Sequence, residues 1–232
     1  MVRAQLKDYK TFRDEPLYLF NENDNTFSLE LENKSSVRLN TIDAFFVPVQ
    51  TRDSSLLTMR LNYSDSQYID FVYSVFPNSY RVKFDIVAVG MEDVLSRASR
   101  EKFVLTWNQS LLRKEKSIDN EQRYSQIFYK NVGLDVNDLN NNKDVKEEIS
   151  DPIKWVAFKD QFFASALIAD NSFDISVLSS KMLSSEEYLK NYNAEIYVTP
   201  VMQDNGMLHV GFEYFLGPLQ YSMLRSYDDG IK

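Results

Sequence analysis

The residues that could perform chemistry in this sequence are few and scattered. It contains one histidine, His209, which stands between Leu208 and Val210, and it contains no cysteine. A histidine acts as a general base only when a second group orients it, and the sequence reveals no such group. His209 is therefore predicted to be a structural or surface residue. The lack of cysteine excludes disulfides, thiolate metal sites and cysteine nucleophiles.

Neighbouring carboxylates offer another route to catalysis, because a glycosidase needs two acids and no sequence motif. The adjacent pairs are Glu147-Glu148, Glu186-Glu187 and Asp228-Asp229. Residues that follow each other on a helix point apart, so capping or solubility explains these pairs better. No serine hydrolase, zinc protease or nucleotide-binding motif occurs. The sequence thus predicts no catalytic residue and no cofactor.

A polar stretch after residue 134 has some features of a calcium loop. Asp135, Asn137 and Asp138 carry oxygen ligands, but Leu139 falls at the fifth position and Asn140 where such a loop needs glycine. We therefore predict no metal site. Residues 137–150 as a whole are too polar to be buried and are predicted to form a mobile loop.

The most apolar segment covers residues 155–170, WVAFKDQFFASALIAD. Trp155, Phe158, Phe162 and Phe163 fall at helical spacing, yet every neighbouring segment has the pattern of a strand. The segment is therefore predicted to form two strands that break near Lys159-Asp160. Its aromatic side chains could line a ligand groove, but in a chain with 14% aromatic residues a place in the core is favoured.

Alternation of apolar and polar residues indicates strands over most of the remaining chain. The clearest hairpin joins residues 68–76 to 80–89 through Pro, Asn and Ser, and a second is predicted at the turn 203–206. Strands at short, regular spacing predict an all-β, mainly antiparallel sandwich in one domain, residues 1–232.

Three predictions concern less regular stretches. Residues 42–49 are apolar on both faces and are predicted to be a central strand that ends at Pro48. Ser184 and Glu187 match a capping box, which predicts one or two helical turns over residues 188–192. The last apolar pattern, through Tyr227, predicts a short C-terminal helix with Pro218 at or near its first position.

Composition limits the partners and the setting. The net charge of −8 argues against nucleic acid and against simple adsorption to anionic lipid. The sequence has no signal peptide and no run of 18 apolar residues, and its abrupt start suggests a fragment excised from a larger protein.

Two motifs give the chain a family resemblance. Residues 155–157 (WVA) followed by 161–166 (QFFASA), together with residues 216–218 (LGP) and the helix behind them, resemble the periplasmic domain of the YidC family of membrane protein insertases. Weaker similarity at residues 6–10, 16–20 and the central hairpin extends the resemblance over essentially the whole chain.

The resemblance implies a β-supersandwich, similar to galactose mutarotase, with a short C-terminal helix. It implies a non-catalytic domain on the periplasmic side of the inner membrane, which acts as scaffold and partner-binding module of an insertase and chaperone for inner-membrane proteins. The expected partners are the Sec translocon, the SecD and SecF proteins and nascent membrane proteins. Contact with the membrane is expected only through transmembrane segments outside this sequence. No mutarotase catalytic His/Glu pair can be carried over onto His209.

Two groups of residues follow from the resemblance. The core of the family motif is predicted to be Trp155, Ala157, Phe162, Phe163 and Ala166. Contact with a partner or the membrane core is predicted at Gly217, Pro218, Leu219, Tyr221, Leu224 and Tyr227. The last helix could instead simply cap the sandwich. Two other functions stay open: a secreted carbohydrate-binding or sugar-processing β-sandwich, and a surface adhesin or assembly subunit.

Overall fold

The segments in which apolar and polar residues alternate form strands over most of the chain. A computed structural model describes residues 1, 3–133 and 135–228, and within these residues strands and three helices are formed. The helices are α1 (Arg97–Glu101), α2 (Ile118–Tyr124) and α3 (Tyr221–Asp228). The strands are β1 (Ala4–Lys10), β2 (Pro16–Phe20), β3 (Asn25–Glu32), β4 (Arg38–Asn40), β5 (Val47–Val49), β6 (Leu56–Asn62), β7 (Tyr68–Val75), β8 (Arg81–Val89), β9 (Phe103–Leu112), β10 (Gln126–Asn131), β11 (Val136–Asp138), β12 (Val145–Ile149), β13 (Ile153–Lys159), β14 (Phe163–Phe173), β15 (Ile175–Met182), β16 (Tyr188–Val198), β17 (Val201–Met202) and β18 (Leu208–Pro218).

The strands form two main sheets and one separate hairpin. The large sheet has the order β11-β10-β13-β14-β18-β8-β7-β6-β5, with β17 paired to β18. The small sheet has the order β12-β15-β16-β9-β3-β4, and β1 pairs with β2. Every pairing between these strands is antiparallel. The prediction of an all-β, mainly antiparallel fold with a short C-terminal helix is confirmed.

The core lies between the two sheets and is rich in aromatic rings. Trp107 of the small sheet is fully buried and stacks on Phe158 of the large sheet, with ring centroids 4.0 Å apart. Phe27 meets Phe84 edge-on across the same interface at 5.3 Å. Full burial of one large apolar side chain contributes about 1.5–3 kcal/mol, so these rings hold the sheets together.

The strongest sequence signals are confirmed in the structure. The hairpin β7–β8 turns through residues 76–80, and β17 and β18 flank the predicted turn at 203–206. The apolar segment after residue 153 forms β13 and β14, which break between Lys159 and Phe163. The turn residues decided the two hairpins, and the strand patterns of the neighbouring segments decided the apolar segment, whose own spacing was ambiguous.

Two stretches have a different structure from the one predicted. Residues 42–49 are not a central strand, because Thr41–Asp43 form a 3-10 turn and β5 is a three-residue strand at the edge of the large sheet. Pro48 lacks an amide proton, which suits an edge position. Residues 137–150 are not a loop throughout, since β11 pairs with β10 and β12 pairs with β15. β12 is also an edge strand, so its exposed polar side chains are compatible with pairing.

The predicted helical turns at residues 188–192 are wrong as well. Tyr188 begins β16, a strand that pairs with β9 on one side and β15 on the other. The Ser185 hydroxyl accepts hydrogen bonds from the amides of Glu187 and Tyr188 at 3.1 and 3.2 Å. The serines therefore make a local turn before the strand and do not cap a helix.

The part of the chain that the structure describes contains no helix both long and apolar enough to span a bilayer.

Candidate functional site

The predicted contact segment begins inside the large sheet and ends on its outer face. Gly217 pairs with Ala164 and Pro218 with Phe163, so both belong to β18 and both are buried. The prediction that Pro218 opens the helix is therefore wrong, because α3 starts at Tyr221. A β-carbon on Gly217 would lie 2.8–2.9 Å from the Tyr80 ring, which explains why glycine occupies this position.

The helix α3 packs on a small apolar surface of the large sheet. Leu219, Met223 and Leu224 are partly buried against Ala164, Ala166 and Phe215 on the outer face of the sheet. The small alanine side chains let the helix come close to the strands. The Leu219 amide donates to the Phe162 carbonyl at 2.8 Å. The helix is therefore fixed to the β13–β14 turn as well as to β18.

A side-chain hydrogen bond also ties the start of this segment to the separate hairpin. The Gln220 side-chain amide donates to the Tyr9 hydroxyl at 2.8 Å, and the Tyr9 ring meets Phe163 edge-on at 5.2 Å. Tyr221 lies next in the chain but is 78% exposed. Leu219 and Leu224 thus pack on the sheet, while Tyr221 faces solvent. The side chain of Tyr227 lies outside the described residues.

The five residues of the family motif do not share one environment. Phe163 and Ala166 are buried, whereas Trp155 and Ala157 are only partly buried. Successive side chains of a strand point to opposite faces. Val156 and Phe158 therefore enter the core, while Trp155 and Ala157 lie on the outer face.

Phe162 differs most clearly from the prediction of a buried motif core, because its side chain is 51% exposed. It lies in the turn between β13 and β14, where no neighbouring strand covers it. The prediction that Phe162 belongs to the motif core is wrong.

A buried ion pair lies directly behind this turn. The Lys114 ammonium is 2.9 Å from Asp160 Oδ2, and the two side chains are 2% and 3% exposed. The other oxygen of Asp160, Oδ1, accepts hydrogen bonds from the amides of Phe162 and Phe163 at 3.1 and 2.7 Å. Asp160 thus holds the turn that carries Phe162. Sequence reasoning missed this role, although an aspartate at a strand break is a known turn signal.

Glu121 lies close to this pair, and Lys190 is a further buried charged group. The Glu121 carboxylate accepts from the amides of Lys114 and Glu115 at 2.8 and 3.0 Å, and burial raises the pKa of Glu121. The Lys190 ammonium donates to the carbonyls of Ser125 and Asn141 at 2.7 and 2.9 Å. Lys190 is fully buried, and burial lowers its pKa to about 8.

The single histidine belongs to a network on the outer face of the large sheet. His209 Nε2 lies 2.8 Å from Asp85 Oδ1, and Lys83 contacts both Asp85 and Asp170. These side chains are partly exposed and each has an ionic partner. Among residues 1, 3–133 and 135–228, no group of three or more histidine and carboxylate side chains is arranged to hold a metal ion.

A cleft of about 350 Å³ opens beside the β1–β2 hairpin. The Phe12 ring lies in its wall between two guanidinium groups, with Arg13 at 5.2 Å and Arg113 at 4.9 Å from the ring centroid. Three backbone carbonyls, of Glu115, Lys116 and Glu186, accept hydrogen bonds from Arg113. The arginine is therefore held in place by the loop around it and braces the hairpin.

Relatives with similar sequences are membrane proteins. The chain is 35% identical over 229 residues to a protein of Porphyromonas gingivalis and 32% identical over 228 residues to one of Parabacteroides distasonis, each named membrane protein insertase YidC. A third with the same name, from Phocaeicola vulgatus, is 36% identical over 227 residues. These matches cover 97–98% of this chain and 36% of each relative.

Among solved structures, the Slr1438 protein of Synechocystis sp. PCC 6803 is similar with a TM-score of 0.42 and 10% identity, over 74% of this chain and 65% of that one. Similarity at this level supports no functional argument. The model of the YidC periplasmic domain, in contrast, matches residues 1–232. Together with the three insertase relatives, this match shows that the chain belongs to the YidC periplasmic domain family.

Proposed function

We propose that this chain is the non-catalytic extracytoplasmic domain of a membrane protein insertase, on the periplasmic side of the inner membrane. In this proposal it assists the insertion and folding of inner-membrane proteins as a scaffold and partner-binding module. The chain spans about a third of the relatives' length, so the insertion step itself is assigned to the remainder of such a protein. Family membership supports the setting, and α3 supports the mode of contact.

The observation that carries the contact is the division of α3 into two sides. Met223 and Leu224 on one side of α3, with Leu219 just before it, pack the helix on the sheet, and Tyr221 stays exposed. A helix that only closed the sandwich would have little use for a large aromatic side chain in water. Exposed aromatics are common anchors of interfaces, because they offer a large contact area at low conformational cost. We assign the contact with the membrane-embedded part to this exposed side.

The decisive experiment compares the two sides of the helix in a full-length insertase that carries this domain. Tyr221→Asp is expected to weaken insertion of a test membrane protein in cells depleted of their own insertase, with the unfolding midpoint of the domain unchanged. Leu224→Asp places a charge against the apolar surface under the helix, so it is expected to detach the helix. Both insertion and the unfolding midpoint of the domain are then expected to fall. Retained insertion in Tyr221→Asp would contradict the proposal.

Tyr63 provides the matched control. It is 65% exposed, but it lies in the β6–β7 turn at the other end of the large sheet. Tyr63→Asp makes the same chemical change on the same domain and is expected to leave insertion intact. Equal losses in Tyr63→Asp and Tyr221→Asp would show a general effect of surface charge.

The protein partners are a finer part of the proposal. Site-specific cross-linking from position 221 is expected to capture the membrane core of the same chain, and cross-linking from other surfaces would report the Sec translocon, SecD and SecF, or nascent membrane proteins. The similarity to galactose mutarotase and the carbohydrate-binding alternative stay predictions. A glycan array with the purified chain tests the carbohydrate-binding alternative.

A further inference from the structure

One end of the large sheet carries a row of exposed aromatic side chains, Phe76, Tyr124, Phe162 and Tyr221, which we name the aromatic edge. Each of them is at least half exposed. They stand on separate connections: the β7–β8 turn, the end of α2, the β13–β14 turn and the start of α3. No single local motif therefore explains why all of them are aromatic.

The strand register shows that these connections lie side by side. Phe163 at the start of β14 pairs with Pro218 at the end of β18, and Phe215 pairs with Arg81 at the start of β8. Gln126, two residues after Tyr124, pairs with Lys159. From β10 to β7 there are five steps between neighbouring strands, so the row is about 24 Å long at about 4.8 Å per step.

The connections at the opposite end of the same sheet also carry two exposed aromatic side chains, Phe45 and Tyr63, but they differ in charge. They contain nine carboxylates and three basic residues, Arg97, Arg100 and Lys102, which all lie in the connection between β8 and β9. The acidic residues are Asp43, Asp65, Glu92, Asp93, Glu101, Asp135, Asp151, Asp174 and Asp204. Lys34 and Lys102 contact two of them, Asp93 and Asp174. At the aromatic edge, the connections within the large sheet contain Arg52, Asp53 and the buried Asp160, and the β11–β12 connection contains Lys143 and Asp144. The β9–β10 connection that carries Tyr124 adds four basic and three acidic residues, Arg113, Lys114, Lys116, Arg123, Glu115, Asp119 and Glu121. Acidic and basic residues thus balance at the aromatic edge, whereas the opposite end, which we name the acidic end, carries six more acidic than basic residues.

We infer that the aromatic edge rests on the headgroup region of a lipid bilayer and that the acidic end points away from it. Tyrosine and other amphipathic aromatic rings favour the boundary between hydrocarbon and water, where the ring is dehydrated and the polar group stays wet. The row includes Tyr221 of α3, the helix that is proposed above to contact the membrane-embedded part of the protein. The acidic end would be repelled by anionic lipid.

This contact differs from electrostatic adsorption, which the net charge of −8 disfavours. Aromatic side chains partition into the interface of neutral lipid as well, so the attraction does not require basic residues. Further charged residues at the same end belong to the small sheet and the β1–β2 hairpin, for example Asp14, Glu15, Glu186 and Glu187. The contact is therefore an edge of the large sheet, and it is expected to form when the domain is already held near the bilayer.

Single tryptophans can test this orientation. The 232-residue chain is attached through a C-terminal histidine tag to vesicles of phosphatidylcholine with brominated acyl chains and a small fraction of nickel-chelating lipid. Phe162→Trp and Phe76→Trp are expected to lose emission and shift to the blue relative to unbrominated vesicles. Tyr63→Trp at the acidic end is the matched control and is expected to change in neither respect. The chain's own two tryptophans are measured as the background.

A second measurement covers variants that do not fold well. The sequence has no cysteine, so Phe76→Cys and Tyr63→Cys can each carry one spin label. The label at position 76 is expected to be more accessible to oxygen, which concentrates in lipid, than to a water-soluble nickel chelate, and the label at 63 is expected to show the reverse. Equal accessibility at both positions, or equal quenching of all tryptophans, would overturn the inference.

The inference rests on the proposed membrane setting but not on any protein partner. The vesicles contain no other protein, so a lack of lipid contact would leave the insertion defect of Tyr221→Asp to be explained by a protein interface. Conversely, lipid contact at Phe76 and Phe162 with normal insertion in Tyr221→Asp would support the orientation and contradict the role of α3.

Discussion

Two clusters of ionic side chains, both in contact with strand β14 or the turn before it, differ chiefly in burial. The interior cluster consists of Lys114, Glu121 and Asp160, all nearly inaccessible to water. The outer cluster consists of Lys83, Asp85, Asp170 and His209, whose side chains are 20–45% exposed. Both contain lysine–aspartate contacts, so the chemistry of the pairs is similar and the environment is not.

The difference in environment decides what each cluster can do. A charge taken out of water is destabilising unless its partners replace the lost hydration, so removing one partner of a buried pair costs much more than the pair contributes as a whole. An exposed pair is screened and contributes between 0 and about 1 kcal/mol. The interior cluster therefore determines the position of the β13–β14 turn, while the outer cluster mainly keeps the face of the sheet hydrated.

The largest expected effect comes from Asp160→Ala. The substitution leaves the Lys114 ammonium buried without its carboxylate and leaves the amides of Phe162 and Phe163 without an acceptor. We expect a loss of about 3–5 kcal/mol in the free energy of unfolding, measured with urea at neutral pH. A loss below about 1 kcal/mol would show that water reaches this cluster.

A matched series separates the two roles of Asp160. Asp160→Asn keeps an acceptor for the turn amides but removes the charge, and Lys114→Met removes the cation alone. If the ion pair dominates, Asp160→Asn is expected to be nearly as unstable as the alanine variant. If the turn dominates, Asp160→Asn is expected to recover most of the stability.

The sequence was sufficient to predict the strands that alternate and the family motifs, but not the ionic clusters. Trp107 and Phe84 follow the period of two, so their strands and buried faces could be predicted. Lys114 and Asp160 lie 46 positions apart in the sequence, and only the packing of two sheets brings them together. A charged residue is expected at the surface unless its partner is known, so the burial of Lys114 had no local signal.

The errors at edge strands have a related cause. β12 is polar and β5 contains a proline, and both are accepted because an edge strand pairs on one side only. Phe162 shows the opposite error, in which an aromatic residue was assigned to the core by its type. Its neighbour Phe163 is buried, and the one-position difference follows from the turn that Asp160 holds.

Gly217→Ala sharpens the comparison, because it changes volume without charge on the outer face. The new methyl group would lie 2.8–2.9 Å from the Tyr80 ring, within the buried end of β18. We expect the ring or the strand to shift, at a cost of about 1–3 kcal/mol in the free energy of unfolding. As the control, Gly217→Ala is introduced into the Tyr80→Ala variant, and the urea midpoints of the single and double variants are compared. An equal loss from Gly217→Ala in the Tyr80→Ala background would show that the ring is not the obstacle.

Lys190 gives the stability of the domain a predictable dependence on pH. Burial lowers its folded-state pKa to about 8 from the ordinary 10.5, so between these two values the unfolded chain binds more protons than the folded chain. Stability is therefore expected to rise with pH across that window, by at most about 1.4 kcal/mol per pH unit. Lys190→Met removes this contribution, and the difference in urea unfolding between the two proteins measures it. A difference that is constant with pH would contradict the lowered pKa.

The smallest effect is expected in the outer cluster, from Asp170→Asn. Lys83 keeps its contact with Asp85, 3.7 Å away, and both groups stay in contact with water. The expected loss in the free energy of unfolding is below about 1 kcal/mol, and salt should reduce it further because exposed charges are screened. Any loss in the free energy of unfolding that Asp160→Asn shows is expected to stay unchanged across the same salt series, since ions do not enter the buried cluster. The comparison of the two clusters fails if the two asparagine variants show the same dependence on salt, because burial would then not be what separates them.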